Sequence, residues 1–251
     1  MKWTSVFALV LSLILLSLLR LSLVKESSAQ VAPHRETEQD WRERPEVQLV
    51  SFVLDDVQKT WDRLLPAQEH IPYHHAKLVL FRNSIASACG MARTATGPFY
   101  CPGDEKVYLD LAFFTELKQR FGAPGEFAQA YVIAHEIGHH VQKLLGVEGK
   151  VRRLQQREPG ERNPLSVKLE LQADCFAGIW ANSTEQRNLV DRRDIAAALN
   201  AAGAVGDDRL QRMGQGYVNP DSFTHGTSAE RSSWFRRGLD TGRISSCNTF
   251  Q

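Results

Sequence analysis

No stripe of lysine and arginine with interleaved aromatics runs through this sequence, whose 251 residues hold 30 Lys+Arg against 29 Asp+Glu, a formal net charge of +1. Electrostatic binding of nucleic acid needs a basic surface, so nucleic acid is excluded as a partner. The local cluster Arg152, Arg153 and Arg157 is diluted by Glu148, Glu158 and Glu161 and reads as a solvated helix face or loop. No CxxC pair is present either, which argues against a zinc–thiolate site. Internal repeats and low-complexity tracts are absent, and 43% hydrophobic residues is the composition of an ordinary globular protein. Once the ends are set aside, roughly 200 residues remain, enough for one domain with its own core.

What is present begins at the N-terminus. Lys2 precedes an almost wholly apolar run from Val6 to Leu19; Arg20 interrupts it, Leu21 to Val24 resume it, and after Lys25 the composition turns polar. A positive start, an apolar core and the small residues Ser27, Ser28 and Ala29 make the pattern of a secretory signal peptide cut after Ala29. An uncleaved membrane anchor is the alternative, if Arg20 snorkels. Both readings of residues 1–29 put the rest of the chain outside the cytoplasm, periplasmic, secreted or anchored to the membrane. Four cysteines agree with an oxidising compartment, and three pairings of Cys89, Cys101, Cys175 and Cys247 are open. Cys89 and Cys101 flank the loop at Gly97-Pro98, so a local bridge is easy; Cys175 then pairs with Cys247 and pins the tail to the core.

Residues 30–46 are polar, contain Pro33 and Pro45, and read as a linker. From Val47 the domain proper begins. Val47, Val50, Val53, Leu54, Val57, Trp61, Leu64 and Leu65 recur at helical intervals, with Pro66 as the stop. Lys77–Phe81 and Val107–Leu111 read as strands, and the stretch between Asn83 and Asp104 as a disulfide-bounded loop. Helices are expected over Phe113–Phe121, over Glu126–Leu145 with Gly146 as its stop, and, after a charged loop, over Pro164–Ala181 with Asn163 as N-cap. The last of these carries Leu165, Leu169, Ala173, Phe176, Ala177 and Trp180 on one side. Shorter helices are expected over Arg192–Gly203, Asp207–Gly214 and Arg231–Gly238. The class is α+β, mostly helical with a small sheet.

The chemistry centres on Tyr131 to Val141, YVIAHEIGHHV. His135 and His139, four residues apart, lie roughly 40° apart around a helix, so both imidazoles can meet one metal ion. Glu136 projects beside them, where its carboxylate can reach an attacking water. Gly138 allows close approach of another backbone or a ligand. His140 points about 100° away from His139 and reads as structural or at a cleft rim. His74 and His75 read as surface residues.

A catalytic zinc takes three protein ligands and keeps one position open. Glu170 lies 170 − 139 = 31 residues beyond His139, on another helix, and Asp174 sits one turn further on the same face. Two carboxylates on an otherwise apolar helix are expensive unless something positive compensates them. A zinc ion accounts for Glu170, and an imidazole N–H needing an acceptor accounts for Asp174. The alternative is a pair of exposed surface carboxylates.

HEIGHH followed by ELQAD resembles the gluzincin arrangement of zinc peptidases. The wider chain is similar to the bacterial family of neutral zinc metallopeptidases, through SACGMARTATGPFYCPGDEKVYLDLAFF, RFGAPGEFAQAYVIAHEIGHHVQ, ELQADCFAGIWA and FTHGTSAERSSWF. The resemblance runs from about Val47 to the C-terminus. It implies a zincin-like fold, a Zn2+ cofactor, peptide or protein substrates and a membrane-linked, extracytoplasmic setting. Phe223-Thr224-His225-Gly226 followed by Arg231 resembles the His-then-Arg element of some gluzincins, which makes His225 the candidate donor to a developing oxyanion and Tyr217 the reserve. Zinc at His135, His139 and Glu170 is expected to lower the pKa of water towards about 7, with Glu136 as general base. The strand Val107–Leu111 can offer an edge to an extended peptide. Two rivals share the same residues: a non-catalytic metal-binding envelope protein, and an amidohydrolase acting on a non-peptide substrate. The intact Glu136 argues against the first, and a site with only three evident ligands argues against a chaperone-like or regulatory protein with a purely structural zinc; the amidohydrolase would use the same water-activating chemistry and stays open. Oligomeric state is not legible.

Overall fold

The computed structural model describes residues 42, 44–93, 97–119, 122–123 and 125–251. The signal or anchor segment 1–29 and most of the linker lie outside the described residues. The first helix, α1 (Pro45–Glu69), buries Val47, Val50, Val53, Leu54, Val57, Trp61 and Leu65, the stripe its periodicity predicts. Pro66 does not end it. Only one turn remains beyond Pro66, and His70, in the left-handed conformation, closes that turn by donating its N–H to the Pro66 carbonyl. A proline so close to the end removes a single hydrogen bond, which packing offsets.

A three-stranded sheet follows, with β1 (Lys77–Phe81) parallel to β5 (Lys106–Asp110) and β4 (Phe99–Cys101) antiparallel to β5 on its other side. The stretch expected to be a loop instead carries β4 and a separate hairpin, β2 (Ser84–Ser87) with β3 (Gly90–Arg93). The hairpin strands, SIAS and GMAR, are four residues long and mostly small or polar, and β4, FYC, is only three residues long, so none shows the extended alternating pattern that marks a strand in sequence. Cys89–Cys101 ties the hairpin to β4, and Cys175–Cys247 is the second disulfide, both as expected.

The helical part comprises α2 (Ala112–Gln119), α3 (Glu126–Leu144), α4 (Val147–Arg157), α5 (Arg162–Gln186), α6 (Arg192–Ala204), α7 (Asp207–Gln215) and α8 (Ser228–Thr241). Among the described residues no helix is long and apolar enough to cross a membrane. The expected charged loop is α4, a solvated helix with one buried residue, Val151, and an exposed Arg152–Glu148 pair at i,i+4. Gly146, at φ 71°, separates it from α3. Helix α5 starts earlier than expected because a 3-10 turn over Pro159–Glu161 runs directly into it; Asn163 then lies inside the first turn and donates to the Asp221 carbonyl instead of capping. Helix α8 starts at Ser228, set by a reciprocal Thr227–Glu230 capping box.

Helix α5 is the hub. From Leu171 to Ala181 every residue is buried, not one side only, because α3, α8 and α1 all pack on it. A helix buried all round carries no amphipathic stripe. Gly138 of α3 sits where a Cβ would lie 2.9 Å from the Ala173 carbonyl oxygen, so the absent side chain lets α3 and α5 close together. Gly238 does the same for α8, where a Cβ would overlap the Cys175 carbonyl. That is why α8 continues past Gly238: the glycine is a contact point and not a stop. Trp61 packs edge-on against Phe176, and Tyr131 against Phe235, between the helices.

Candidate metal centre

Helix α3 presents His135, Glu136 and His139 from a stretch buried on nearly every side, and α5 brings Glu170 opposite them. One ligand atom from each of His135, His139 and Glu170 lies within 4.8 Å of the others. Glu170 Oε2 is 3.1 Å from His135 Nε2, and Oε1 is 3.4 Å from His139 Nε2. The other ring nitrogens are engaged on the far side: His135 Nδ1 is 2.9 Å from Asp174 Oδ1, and His139 Nδ1 is 2.9 Å from Gln142 Oε1. Both partners offer acceptor oxygens, so each Nδ1 donates away from the site and each Nε2 is left on the Glu170 side, where the lone pair of the neutral ring would serve an ion. Two imidazole lone pairs and a carboxylate converging on one point form a donor set suited to zinc.

Asp174 is fully buried and accepts from three side chains. Besides His135, its Oδ1 accepts from the Tyr131 hydroxyl and from Arg231 at 3.1 Å, while its Oδ2 accepts from Arg231 Nε at 2.8 Å. Arg231, equally enclosed, also donates to the Tyr131 hydroxyl at 3.2 Å and to the Val205 carbonyl at 3.2 Å. Asp174 therefore lies against the His135 imidazole, and exposed surface carboxylates do not describe this pair.

Electrostatics follow from this packing. Burial favours the neutral form of every group here. Against that, the Arg231 and His135 charges keep the Asp174 carboxyl below the usual range. Burial likewise works against an ionised Glu170, yet His139 and His135 hold its pKa well down. Burial opposes a charged His135, but in the metal-free chain Asp174 and Glu170 outweigh it and push its pKa up to about 10. Glu136 goes the other way: burial raises its pKa, opposed by the neighbouring histidines and a backbone hydrogen bond from Tyr100.

His135, Glu136, His139, Glu170 and Arg231 line a cavity of about 970 Å³, shared with Phe99 and Tyr100 of β4, Phe113, Val132, Val205, Leu210, Met213 and His225. The expected edge strand is not the one at the cavity. Strand β5 is central, hydrogen-bonded on both sides, so its backbone groups are spent; β4 ends the sheet at the cavity among the described residues. His225 lines the cavity with its side chain about half exposed, and its Nδ1 is 3.2 Å from Asp207 Oδ1. Tyr217, the reserve, is 64% exposed and is not among the lining residues.

Several neighbours have no mark in the sequence. Asp207 accepts the backbone N–H groups of Thr224, His225 and Gly226 and so clamps the His225 loop. A carboxylate in the first turn of a helix ordinarily reads as a favourable dipole partner, which hides this use. Tyr131 lies on the same helix face as His135, four residues before it, and that spacing was the available signal. His140 is fully buried: its Nε2 donates to the His74 carbonyl at 2.7 Å, and its Nδ1 accepts from the Tyr100 hydroxyl at 2.9 Å. It therefore fastens β4 to α3, a structural role, as expected.

The family described as "Putative neutral zinc metallopeptidase" matches residues 4–250 of this sequence. The chain belongs to that family. Among its relatives, the uncharacterized protein YpfJ of Escherichia coli K12 is 53% identical over 201 residues, covering 80% of this chain and 70% of YpfJ. The uncharacterized protein Rv2575 of Mycobacterium tuberculosis H37Rv is 42% identical over 207 residues, covering 78% of this chain and 68% of its own length. No solved structure matches the chain significantly. Zinc is the cofactor of the family, and His135, His139 and Glu170 are the residues positioned for it.

Proposed function

We propose that this chain hydrolyses peptide bonds in peptide or protein substrates, with zinc held by His135, His139 and Glu170 in a zincin-like domain spanning about 47–251. The observation that carries the reading is the convergence of two Nε2 lone pairs and the Glu170 carboxylate beside a buried, otherwise unneeded Glu136. When bound, the ion polarises the scissile carbonyl and makes a water acidic enough to attack near neutral pH. Glu136 takes the proton of the attacking water and returns it to the leaving amine. Its burial raises its proton affinity, which suits a group that must hold a proton between two steps. Asp174 keeps the His135 ring in one tautomer.

His225 donates to the developing oxyanion. Asp207 engages its Nδ1 and, with this hydrogen bond as the main cause, raises its pKa, leaving Nε2 as the donor for a ligand in the cavity. An extended substrate pairs with the outer side of β4, and the apolar wall of Val132, Val205 and Leu210 favours an apolar side chain next to the scissile bond. Two disulfides support a location outside the cytoplasm, with residues 1–29 as signal peptide or membrane anchor.

The test compares wild type, Glu170→Ala and Glu136→Gln for metal content and for digestion of a peptide library. Expected are about one zinc in wild type and in Glu136→Gln, loss of zinc in Glu170→Ala, and cleavage by wild type alone. A zinc-loaded wild type that cuts no peptide points to the non-catalytic envelope protein or the non-peptide amidohydrolase. Wild type that takes up no zinc overturns the reading.

A further inference from the structure

The far side of His139 is built differently from that of His135, and its residues have no part in the reaction above. Gln142, 1% exposed, accepts from His139 Nδ1 through Oε1 at 2.9 Å. Its Nε2 donates to the Leu169 carbonyl at 2.7 Å and to Gln172 Oε1 at 3.2 Å. Gln172, 6% exposed, in turn donates through Nε2 to the Cys247 carbonyl at 2.9 Å. Cys247 is bonded to Cys175, five residues beyond Glu170 on α5.

The direction of this chain is forced. Backbone carbonyls can only accept, so Leu169 and Cys247 each demand the NH2 end of a glutamine amide. With Gln172 Nε2 turned to Cys247, its Oε1 faces Gln142; with Gln142 Nε2 turned to Leu169 and Gln172, its Oε1 faces His139. The imidazole must then present a hydrogen at Nδ1, which leaves the Nε2 lone pair on the side of Glu170. Two backbone carbonyls thus set the tautomer of a side chain at the metal centre through two amides.

We infer that Gln142 is a positioning residue for His139, and that Gln172 and the disulfide-anchored Cys247 hold Gln142 in the orientation this requires. The inference rests on the reading of His135, His139 and Glu170 as a zinc site. The C-terminal tail is then an outer wall of the metal centre, joined to it by hydrogen bonds and locked to α5 by Cys175–Cys247. Thr249 adds a second tie, donating to the Lys168 carbonyl at 2.7 Å.

The experiment measures zinc affinity of the full chain by competition with a chromophoric chelator, together with the visible absorption bands of the cobalt-substituted protein. Gln142→Leu removes the acceptor at similar size and is expected to weaken zinc binding by about 10- to 100-fold and to shift the cobalt bands. Gln172→Leu and the double variant Cys175→Ser/Cys247→Ser are expected to weaken it in the same direction and by less. Combining Cys175→Ser/Cys247→Ser with Gln142→Leu is expected to weaken zinc binding by less than the product of the separate effects, because one relay is cut twice. If Gln142→Leu does not fold, Gln172→Leu supplies the comparison. Folded variants that keep wild-type zinc affinity and cobalt bands, while melting earlier, make the amides packing only and sink the inference alone. A wild type that binds no zinc sinks the site reading and this inference with it.

Discussion

His135 and His139 offer the same atom to the same carboxylate, yet the walls behind them are made of opposite chemistry. Behind His135 stands an ionic group, Asp174 with Arg231 and the Tyr131 hydroxyl. Behind His139 stands a neutral one, Gln142 and Gln172 ending on backbone carbonyls. Both walls impose the same tautomer. The charged wall also holds two ions out of water, and a buried ion is tolerable only while its partner is present. The neutral wall carries a smaller liability, because a buried amide or carbonyl left unpaired costs its desolvation penalty, which is less than that of a buried ion. One site therefore contains two solutions to one orientation problem, with very different sensitivity to damage.

That contrast can be broken by substitution. The largest effect is expected from Asp174→Ala, which strands the Arg231 guanidinium. Stability falls by about 3–5 kcal/mol, read from urea denaturation of metal-free protein. Parity with Gln142→Leu in that measurement erases the distinction between the walls. His225→Ala touches neither wall. It is expected to lower kcat by about 10²–10³, with zinc content unchanged, if the ring serves the oxyanion; equal loss of zinc and activity instead moves His225 into the metal-holding group. Gln142→Leu comes next, with about 1–3 kcal/mol lost from the metal-free fold.

The smallest effect sharpens the comparison from outside the site. Asp56 accepts from both Arg187 guanidinium nitrogens and from Trp180 Nε1, an ion pair near the surface. Asp56→Asn is expected to cost roughly 0.5–1 kcal/mol at neutral pH, several-fold less than breaking the buried pair. Burial works to raise the Asp56 pKa, but the Arg187 and Trp180 hydrogen bonds hold it below its usual value. A carboxylate with a lowered folded-state pKa contributes stability above its unfolded value, and that contribution fades as pH falls through the folded one. Wild type and Asp56→Asn should therefore differ at pH 7 and converge in acid; denaturation curves that stay equally far apart down to the lowest pH exclude the ion pair as the cause.

Legibility in the sequence followed the length and burial of each element. Helix α1 announces itself through a stripe running from Val47 to Leu65, and α3 through HExxH set in uncharged neighbours. Glu170 and Asp174 were recognisable because carboxylates among Leu171, Ala173 and Phe176 demand a cation. The hairpin β2–β3 and strand β4 gave no such sign: strands of three and four residues are too short to show an alternating pattern. Helix α4 was read as a loop because its single buried residue leaves no stripe to detect.

The sequence by itself singled out the candidate set, His135, Glu136, His139 and Glu170, since helical spacing is local and the need of buried charge for a partner is general. It left three pairings of the cysteines open and favoured Cys89–Cys101 with Cys175–Cys247, the pairing the structure has. Only the tertiary structure decided which strand borders the cavity, that Asp207 clamps His225, and that the tail at Cys247 reaches the wall behind His139. Those relations join residues 17 to 105 positions apart, as 224 − 207 = 17 for the nearest contact of the clamp and 247 − 142 = 105 for the tail. Local periodicity carries no information across such gaps; they are set by how α3, α5 and α8 close on one another at Gly138 and Gly238.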